Sequence, residues 1–248
     1  MRRAPTVLLA IALALVAGAC AGDEQAERGA ITVFAAASLT DAFGELGDRF
    51  EADHPGTEVT FNFAASSALA EQVAQGAPAD VFASADQANL DEVADLVDEP
   101  AVFATNALAI IGEDGNPEAV DELADLASPD LAVVLCADVV PCGRYAQQVL
   151  HGAGVAVTPK SLEENVKGVV TKVSLGEADA GIVYVTDALA ADGDTDRVEI
   201  PEDRNAVATY PIAVVRDASN VEVARAFVEF VRSDQGQEIL ESFGFGAP

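Results

Sequence analysis

Short apolar runs and amphipathic segments alternate along most of the chain, and this pattern predicts strands that alternate with helices. Residues 31–36 form an apolar run of strand length. In residues 40–52, which follow directly, Phe43, Leu46 and Phe50 recur at the spacing of one helix face. The first part of the pattern therefore predicts a strand followed by an amphipathic helix.

The same criteria extend this pattern to the end of the chain and indicate an α/β protein. Further strands are predicted at residues 58–63, 80–83, 107–111, 131–135, 181–185 and 211–215, and further helices at residues 67–75, 90–97, 116–126, 144–151, 166–175, 221–231 and 235–243. The helix at residues 116–126 is predicted to open at Asn116 and Pro117. Such alternation is typical of a mostly parallel sheet covered by helices. It allows one doubly wound sheet or two smaller lobes that the chain crosses twice.

The first twenty residues have the features of a bacterial export signal. Two arginines precede an uninterrupted apolar run at residues 7–17, which is too short to span a bilayer but suits a signal-peptide core. Small residues then lead to Cys20, which resembles the acylated cysteine of a lipobox. We therefore expect a signal peptide at residues 1–19, a lipid anchor at Cys20 and a polar tether at residues 20–29. An ordinary secretory signal with a chance cysteine is the alternative.

The two remaining cysteines, Cys136 and Cys142, are expected to form a disulfide bond. Export would place the chain in an oxidising compartment, where two cysteines normally pair. A zinc site would need four ligands, and His54 and His151 lie in unrelated parts of the sequence. A pair of buried free thiols is the alternative to the bond.

Charge and missing motifs argue against several classes of function. The chain carries 13 basic and 42 acidic residues, a formal net charge of −29, and such a surface repels nucleic-acid phosphates and anionic lipids. The acidic residues are scattered, which is typical of a solvated surface. The sequence has no G-x-S-x-G, P-loop, G-x-G-x-x-G or H-E-x-x-H motif. We therefore expect a protein that binds no nucleic acid, is not an enzyme and uses no cofactor.

Small and hydroxylic residues recur where predicted strands lead into helices. Ser38 follows three alanines after the first strand, and Ser66 has the corresponding place after the second. Cys142 and Val166 lie at two further helix starts, and Tyr184 lies in a strand. Ligands of open α/β sheets bind at the carboxyl ends of strands, and helix starts offer unpaired N–H groups to anions. These residues are candidate anion ligands, and plain helix capping by the two serines is the alternative.

Six segments, in this order, resemble the molybdate-binding proteins of ABC importers. They are residues 31–40 (ITVFAAASLT), 63–67 (FAASS), 76–82 (GAPADVF), 84–87 (SADQ), 181–184 (GIVY) and 210–215 (YPIAVV). The resemblance covers nearly all of residues 30–246. It implies a type-2 periplasmic binding protein fold, in which two α/β lobes, crossed twice by the chain, close on a ligand. Lobe one would comprise residues 30–105 plus 211–248, and lobe two would comprise residues 106–210.

The resemblance also implies a function and a set of ligand contacts. The protein would capture molybdate or tungstate for the membrane permease of an ABC importer, as a monomer that its lipid anchor holds outside the cell membrane. By position, the contacts are the hydroxyl and N–H groups of Ser38 and Ser66, the backbone N–H groups of Cys142 and Val166, and the Tyr184 hydroxyl. The family often has a small residue such as alanine in place of Cys142. A backbone contact survives that change and leaves the side chain free to pair with Cys136.

Other functions stay open on the residues alone. A receptor for sulfate or another small oxyanion would need the same donors, because sulfate is also fully deprotonated at neutral pH. Hydrogen phosphate carries a proton that needs an acceptor, so a site made only of donors disfavours it. A secreted hydrolase would need a base that these motifs do not supply, and a structural or adhesive lipoprotein would need no ligand site.

Overall fold

The computed structural model describes residues 29–248. The expected signal peptide, the expected anchor residue Cys20 and nearly all of the expected tether lie outside this part of the chain. In the part that is described, no helix is both long enough and apolar enough to cross a bilayer.

Nine strands and eight α-helices alternate through residues 29–248. The strands are β1 (Ala30–Ala36), β2 (Glu58–Ala64), β3 (Val81–Ala83), β4 (Val97–Glu113), β5 (Val133–Cys136), β6 (Ser161–Glu163), β7 (Ala180–Tyr184), β8 (Thr195–Glu199) and β9 (Val207–Val215). The helices are α1 (Thr40–Asp53), α2 (Ser66–Ala74), α3 (Gln87–Asp91), α4 (Pro141–Ala153), α5 (Val166–Ser174), α6 (Val185–Ala190), α7 (Val221–Arg232) and α8 (Asp234–Ser242). Short 3₁₀ helices lie at Ala37–Leu39, Ala94–Leu96, Leu123–Ala127 and Glu202–Arg204.

The strands form one mixed sheet in the order β2-β1-β3-β9-β4-β7-β5-β6, with β8 paired to β4. β1 is parallel to β2 and β3, and β5 is parallel to β6 and β7. β9 is antiparallel to β3 and β4, and β4 is antiparallel to β7 and β8. The α/β class is confirmed, but the prediction of a mostly parallel sheet is wrong, because the two long central strands run against their neighbours.

The strands β4 and β9 join two halves of the molecule. β4 pairs with β9 from Val97 to Ala107, and with β7 and β8 from Leu108 to Glu113. We call β1–β3 with α1–α3, α7 and α8 the first half, and β5–β8 with α4–α6 the second half. The chain passes to the second half along β4 and returns along β9. Both strands run without a break through residues 105–106 and 209–210, so the lobe boundaries expected there stay a prediction.

The prediction of a helix that begins at Asn116 is wrong, and this segment is a loop. Asn116 and Ala119 have positive φ angles of 43° and 50°. The Asn116 side chain accepts a hydrogen bond from the Val120 N–H at 2.9 Å and donates one to the Val120 carbonyl at 3.1 Å. An asparagine that bonds its own neighbouring backbone stabilises a turn in place of a helix. The apolar spacing that suggested a helix is used only by the short 3₁₀ helix at Leu123–Ala127.

The helix predicted at residues 90–97 is wrong in its bounds, because the observed helix α3 lies earlier in the chain. α3 stops at Asp91, a 3₁₀ turn follows, and Val97 is buried as the first residue of β4. Three elements of the second half, β6, β8 and α6, have no counterpart in the prediction. They contain 3, 5 and 6 residues, too few for a hydrophobic period to be recognised.

An aromatic cluster fixes α1 and therefore the turn before it. Phe43 on α1 lies 5.6 Å from Phe103 on β4 and 6.1 Å from Phe227 on α7, measured between ring centroids. Phe50, two turns further along α1, meets Phe227 edge-on at 5.3 Å. All four rings are fully buried, and burying one such side chain contributes about 1.5–3 kcal/mol. This packing holds the turn that carries Ser38 against the end of β1.

Candidate functional site

A small cavity lies between the two halves, where β1, β2 and β7 end and α2, α4 and α5 begin. Its lining is Ala36, Ala37, Ser38, Ala65, Ser66 and Ala85 from the first half and Val140, Pro141, Cys142, Asn165, Val166 and Tyr184 from the second. The five residues expected to contact a ligand therefore meet in one place. The cavity has a volume of about 20 Å³, which admits a ligand of only a few atoms.

Ser38 reaches this cavity from the 3₁₀ turn that follows β1. Its hydroxyl oxygen lies 2.9 Å from the hydroxyl oxygen of Tyr210 on β9, and both side chains are buried. Neither the 3₁₀ turn nor α1 has a side-chain cap, so Ser38 does not serve as the N-cap that a capping box would require. The serine is thus held by a long-range hydrogen bond to a strand that joins the two halves.

Ser66 has an equivalent place at the start of α2. The helix is preceded by Ala65 and has no side-chain cap, so the capping alternative does not describe this serine either. The Ser66 hydroxyl oxygen accepts a hydrogen bond from the Ala85 N–H at 2.9 Å. The side chain is buried, with 1% of its residue surface exposed. Its hydroxyl proton is left for an acceptor in the cavity.

Cys142 lies in the first turn of α4 and forms a disulfide bond with Cys136 at the end of β5. The two Cα atoms are 5.8 Å apart, and the bond closes the loop that carries the helix start. A Cβ atom at Gly143 would lie 1.9 Å from the carbonyl oxygen of Ala137, so only glycine fits where this loop folds against the helix. No side chain caps α4, and the N–H groups of its first turn stay available to an anion.

Val166 is the first residue of α5 and presents its backbone to the same cavity. The N-cap residue Asn165 accepts a hydrogen bond from the Gly168 N–H at 3.2 Å. This cap therefore uses an N–H group two residues beyond Val166. The N–H group of Val166 is one of those that an α-helix leaves unpaired at its start.

Tyr184, the last residue of β7, is buried with 1% of its surface exposed. Within residues 29–248, its hydroxyl oxygen has no hydrogen-bond partner. Burial raises the pKa of this hydroxyl well above the usual value of 10, with smaller contributions from Tyr210 and Tyr145, so it stays protonated and can donate. A buried hydroxyl without a partner costs about 1–3 kcal/mol, which an acceptor in the cavity would recover.

Two ion pairs connect the halves beside the cavity, and neither was predicted from the sequence. Arg144 on α4 donates to the Asp86 carboxylate through Nη2 and, at 3.1 Å, through Nε. Lys167 Nζ on α5 lies 2.8 Å from Oδ2 of Asp41 on α1. Lys167 directly follows Val166, and Arg144 lies two residues after Cys142, so each cation is close in sequence to a predicted helix-start contact. This proximity was the available signal.

Lys167 also lies next to a carboxylate of its own half. Its Nζ atom is 3.2 Å from Asp187 Oδ1, an ion pair by distance but poorly aligned for a hydrogen bond. Asp187 is fully buried, and burial raises its pKa from 3.8 to about 6, although the charge of Lys167 acts in the opposite direction. The pKa of Lys167 is also raised: burial acts to lower it, and the carboxylates of Asp187 and Asp41 outweigh that effect.

The lining of the cavity is chemically one-sided. Among the residues that line it there is no carboxylate and no charged side chain; its polar side chains are three hydroxyls and the amide of Asn165, whose oxygen already accepts from the Gly168 N–H. Within residues 29–248, no cluster of three or more histidine, cysteine or acidic side chains is placed to hold a metal ion. The arrangement can therefore bind an anion through oriented neutral donors.

Comparisons with known proteins agree with this geometry. Residues 31–246 match the family of bacterial extracellular solute-binding proteins. The chain is 45% identical over 231 residues to the molybdate-binding protein ModA of Mycobacterium tuberculosis, a match that covers 92% of this chain and 88% of that protein. It is 35% identical over 243 residues to the molybdate-binding protein ModA of Escherichia coli, with 92% and 93% covered.

Solved structures give the same fold. The substrate-binding domain of a putative molybdenum ABC transporter from Clostridium difficile superposes with a TM-score of 0.67 at 29% identity, covering 89% of this chain and 99% of that one. The periplasmic molybdate-binding protein of Azotobacter vinelandii superposes with a TM-score of 0.78 at 18% identity, covering 88% and 99%. At that lower identity, the second likeness describes the fold alone. Both support the periplasmic binding protein architecture.

Proposed function

Because the chain belongs to the family of bacterial extracellular solute-binding proteins, we propose that it binds molybdate, and also tungstate, for an ABC importer. The family and the relatives are solute-binding transport proteins, and we assign no enzymatic activity to this chain. The observation that carries the proposal is the meeting of Ser38, Ser66, Tyr184 and two helix starts, at Cys142 and Val166, in a cavity without a carboxylate. The identity to molybdate-binding relatives supports the choice of anion.

The proposed contacts are all donors, and this suits molybdate. The anion is tetrahedral, fully deprotonated at neutral pH, and accepts hydrogen bonds at every oxygen. Charge-assisted hydrogen bonds of this kind contribute about 1.5–3 kcal/mol each. The positive ends of α4 and α5 add to the attraction, since the dipole of a helix favours a negative charge at its start. Hydrogen phosphate would leave one proton without an acceptor.

The acidic surface does not conflict with an anionic ligand. The formal net charge of −29 is spread over the whole chain, and the Debye length at physiological salt is about 8 Å. The dipoles that contact the ligand lie closer to it than the scattered carboxylates do, so salt screens their interaction with the ligand less. We therefore expect the surface charge to slow the encounter with the anion, while the cavity determines the strength of binding.

The remaining expectations form part of the same proposal. We propose residues 30–105 plus 211–248 as lobe one and residues 106–210 as lobe two, closing on the anion as the ion pairs Arg144–Asp86 and Lys167–Asp41 form. Ser38, Ser66, Cys142, Val166 and Tyr184 are the proposed ligand contacts. The protein would be an exported monomer, anchored through Cys20 on the outer face of the cell membrane, that delivers its ligand to the permease of the importer.

Calorimetric titration of the purified protein with molybdate, tungstate, sulfate and phosphate tests the proposal. We expect sub-micromolar binding of molybdate and tungstate, far weaker binding of sulfate, and weak or no binding of phosphate. Sulfate is deprotonated like molybdate, so the size of the cavity must discriminate between them. Equal affinity for sulfate and molybdate would make the protein a general oxyanion receptor, and no binding of any of the four anions would overturn the proposal.

A further inference from the structure

Lys167 is shared by two carboxylates that belong to different halves of the molecule. Its Nζ atom donates to Oδ2 of Asp41, in the first turn of α1, at 2.8 Å. It also lies 3.2 Å from Oδ1 of Asp187, in the first turn of α6. Lys167 and Asp187 both belong to the second half, so only the pair with Asp41 crosses between the halves.

The two carboxylates differ in how much they depend on this lysine. The Asp187 side chain is fully buried, and within residues 29–248 neither of its oxygen atoms has a hydrogen-bond partner. The Asp41 side chain is 47% exposed, so water can solvate its carboxylate when the lysine leaves. Leaving a buried carboxylate without a hydrogen bond costs far more free energy than leaving an exposed one to water. Asp187 therefore needs Lys167 more than Asp41 does.

Separation of the halves would return the lysine to Asp187. Asp41 would move away with α1, while Lys167 and Asp187 would stay together in the second half. With the halves in contact, as in this structure, the ammonium group is aligned with Asp41 and not with Asp187. Burial is the main cause that raises the pKa of Asp187 to about 6, and the negative charge of Asp41 acts in the same direction. Contact between the halves is therefore unfavourable for the buried carboxylate.

This contest takes place beside the ligand cavity but outside it. Lys167 directly follows Val166, a proposed ligand contact, and Asp187 comes three residues after Tyr184, which is another. Neither Lys167 nor Asp187 lines that cavity. Both line a separate cleft of about 720 Å³, which has walls from α5 and α6 of the second half and from α1 and the end of α8 of the first. The lysine therefore has room to change its partner.

We propose that Asp187 is a positioning residue that competes with Asp41 for Lys167, favours separation of the halves and so lowers the affinity of the protein for its ligand. The proposal rests on the proposed function, because closing on an anion is the step that the competition opposes. It assigns opposite effects to two carboxylates that contact the same ammonium group. Asp41 strengthens ligand binding, and Asp187 weakens it and speeds release.

The variants Asp187→Asn and Asp41→Asn test these opposite signs. Calorimetry at pH 7 gives the affinity for molybdate, and stopped-flow gives the rate of ligand dissociation. In Asp187→Asn the lysine is released to Asp41, so we expect affinity to rise about 2- to 5-fold and dissociation to slow by a similar factor. In Asp41→Asn the pair between the halves is lost, and we expect affinity to fall about 2- to 5-fold.

Two exposed carboxylates provide matched controls. Asp194→Asn removes a charge that lines the same cleft, and Asp48→Asn removes one from the same helix as Asp41. Both variants should bind molybdate as the wild type does, and thermal unfolding shows whether each variant is folded. Lower or unchanged affinity in folded Asp187→Asn would overturn the proposal, because a residue that only stabilises the fold cannot raise affinity when it is replaced.

A double variant separates competition for the lysine from direct repulsion of the anion. Once Asp41 is replaced, Asp187 has no competitor, so adding Asp187→Asn to Asp41→Asn should leave the affinity unchanged. A gain as large as that in the wild-type background would show that the buried charge acts on the ligand directly. That result would also overturn the proposal.

A pH titration of the wild type gives the same test if Asp187→Asn does not fold. Lowering the pH from 7 to 5.5 protonates Asp187, so ligand dissociation should slow in the wild type and stay unchanged in Asp41→Asn. The other titratable groups around Asp187 are Lys167, Asp41, Tyr184 and Tyr210, and raised pKa values keep the lysine charged and both tyrosines neutral in this range.

The titration has two results that would reject the competition. One is a wild-type dissociation rate that does not change with pH, and the other is an equal response in Asp41→Asn. Failure of the wild type to bind molybdate, tungstate, sulfate or phosphate would instead reject the proposed function. The two failures are therefore distinguishable.

Discussion

The guanidinium group of Arg144 pairs with the carboxylate of Asp86 across the cleft between the two halves. Asp86 is at the same time the N-cap of α3, where its Oδ1 accepts from the Asn89 N–H at 3.0 Å. The carboxylate is nearly buried, with 6% of its side chain exposed, while 35% of the Arg144 side chain is exposed. One carboxylate therefore stabilises a helix in the first half and holds the start of α4 in the second.

Replacing Arg144 should loosen the contact between the halves. In Arg144→Met we expect ligand affinity to fall about 2- to 5-fold, as a partly exposed ion pair contributes up to about 1 kcal/mol. The loss should appear as faster ligand dissociation, measured by stopped-flow. Arg49→Met is the control, since Arg49 pairs with Asp53 within α1. Equal dissociation rates in both variants would show that the cross-cleft pair does not retain the ligand.

The two serines should contribute to affinity separately from stability. We expect Ser38→Ala and Ser66→Ala each to weaken molybdate binding about 10- to 150-fold, because each removes a hydrogen bond to a charged acceptor. Calorimetry gives the affinity, and denaturant unfolding gives the stability. Ser67→Ala is the neighbouring control, since Ser67 does not line the cavity. A loss of stability without a loss of affinity would show that both serines have only a structural role.

The disulfide bond should order the start of α4 before the ligand arrives. Removing it in the double variant Cys136→Ser, Cys142→Ser should lower stability by about 2 kcal/mol on the chain-entropy model. Affinity should fall as well, because the loop at the α4 start must then be ordered during binding. Thiol counting on the unfolded, unreduced wild type should find neither cysteine free. Unchanged affinity in the double variant would limit the bond to stabilising the fold.

Asp187 should make stability depend on pH in an acidic window. Its pKa is about 6 in the folded chain and 3.8 when unperturbed, so the folded state binds more protons between these values. The stabilisation is therefore fully present below about pH 4 and is lost as the pH rises through about 6. Lys167 pairs with both Asp187 and Asp41, and its raised pKa keeps it charged throughout this window.

The test compares unfolding free energies of the wild type and Asp187→Asn from pH 4 to pH 7. The wild-type value minus the variant value should decrease across this range and level off above about pH 6. Asp48→Asn, which changes an exposed carboxylate on α1, serves as the control for a general effect of charge. A difference that rises with pH would contradict the assigned direction of the pKa shift.

The lipid anchor is tested by Cys20→Ala. We expect the wild type in the membrane fraction with a covalent lipid, and the variant in the soluble fraction or unprocessed. Fractionation and lipid labelling provide the measurement. A variant that stays in the membrane fraction with unchanged labelling would rule out acylation at Cys20.

Sequence patterns indicated residues that meet in one cavity, but they did not predict the segments between them. Ser38 and Ser66 were recognised as a pair because each follows a strand and a short run of alanines, a local feature with a clear physical meaning. Asn116 was misread because its side chain bonds its own backbone, which the hydrophobic spacing does not reveal. Tyr210, the hydrogen-bond partner of Ser38, is separated from it by a long stretch of chain. Its position depends on pairing between β4 and β9, which no local pattern contains.

The shared strand β4 has a consequence for how the molecule loses its structure. One continuous apolar core includes Phe43 in the first half and Val169 in the second, and Phe103 and Leu108 on β4 belong to it. Neither half can unfold without removing β4 from the core of the other half. We therefore expect a single cooperative transition in calorimetry, with equal calorimetric and van't Hoff enthalpies, in place of two separate domain transitions. Ligand should shift that one transition as a whole.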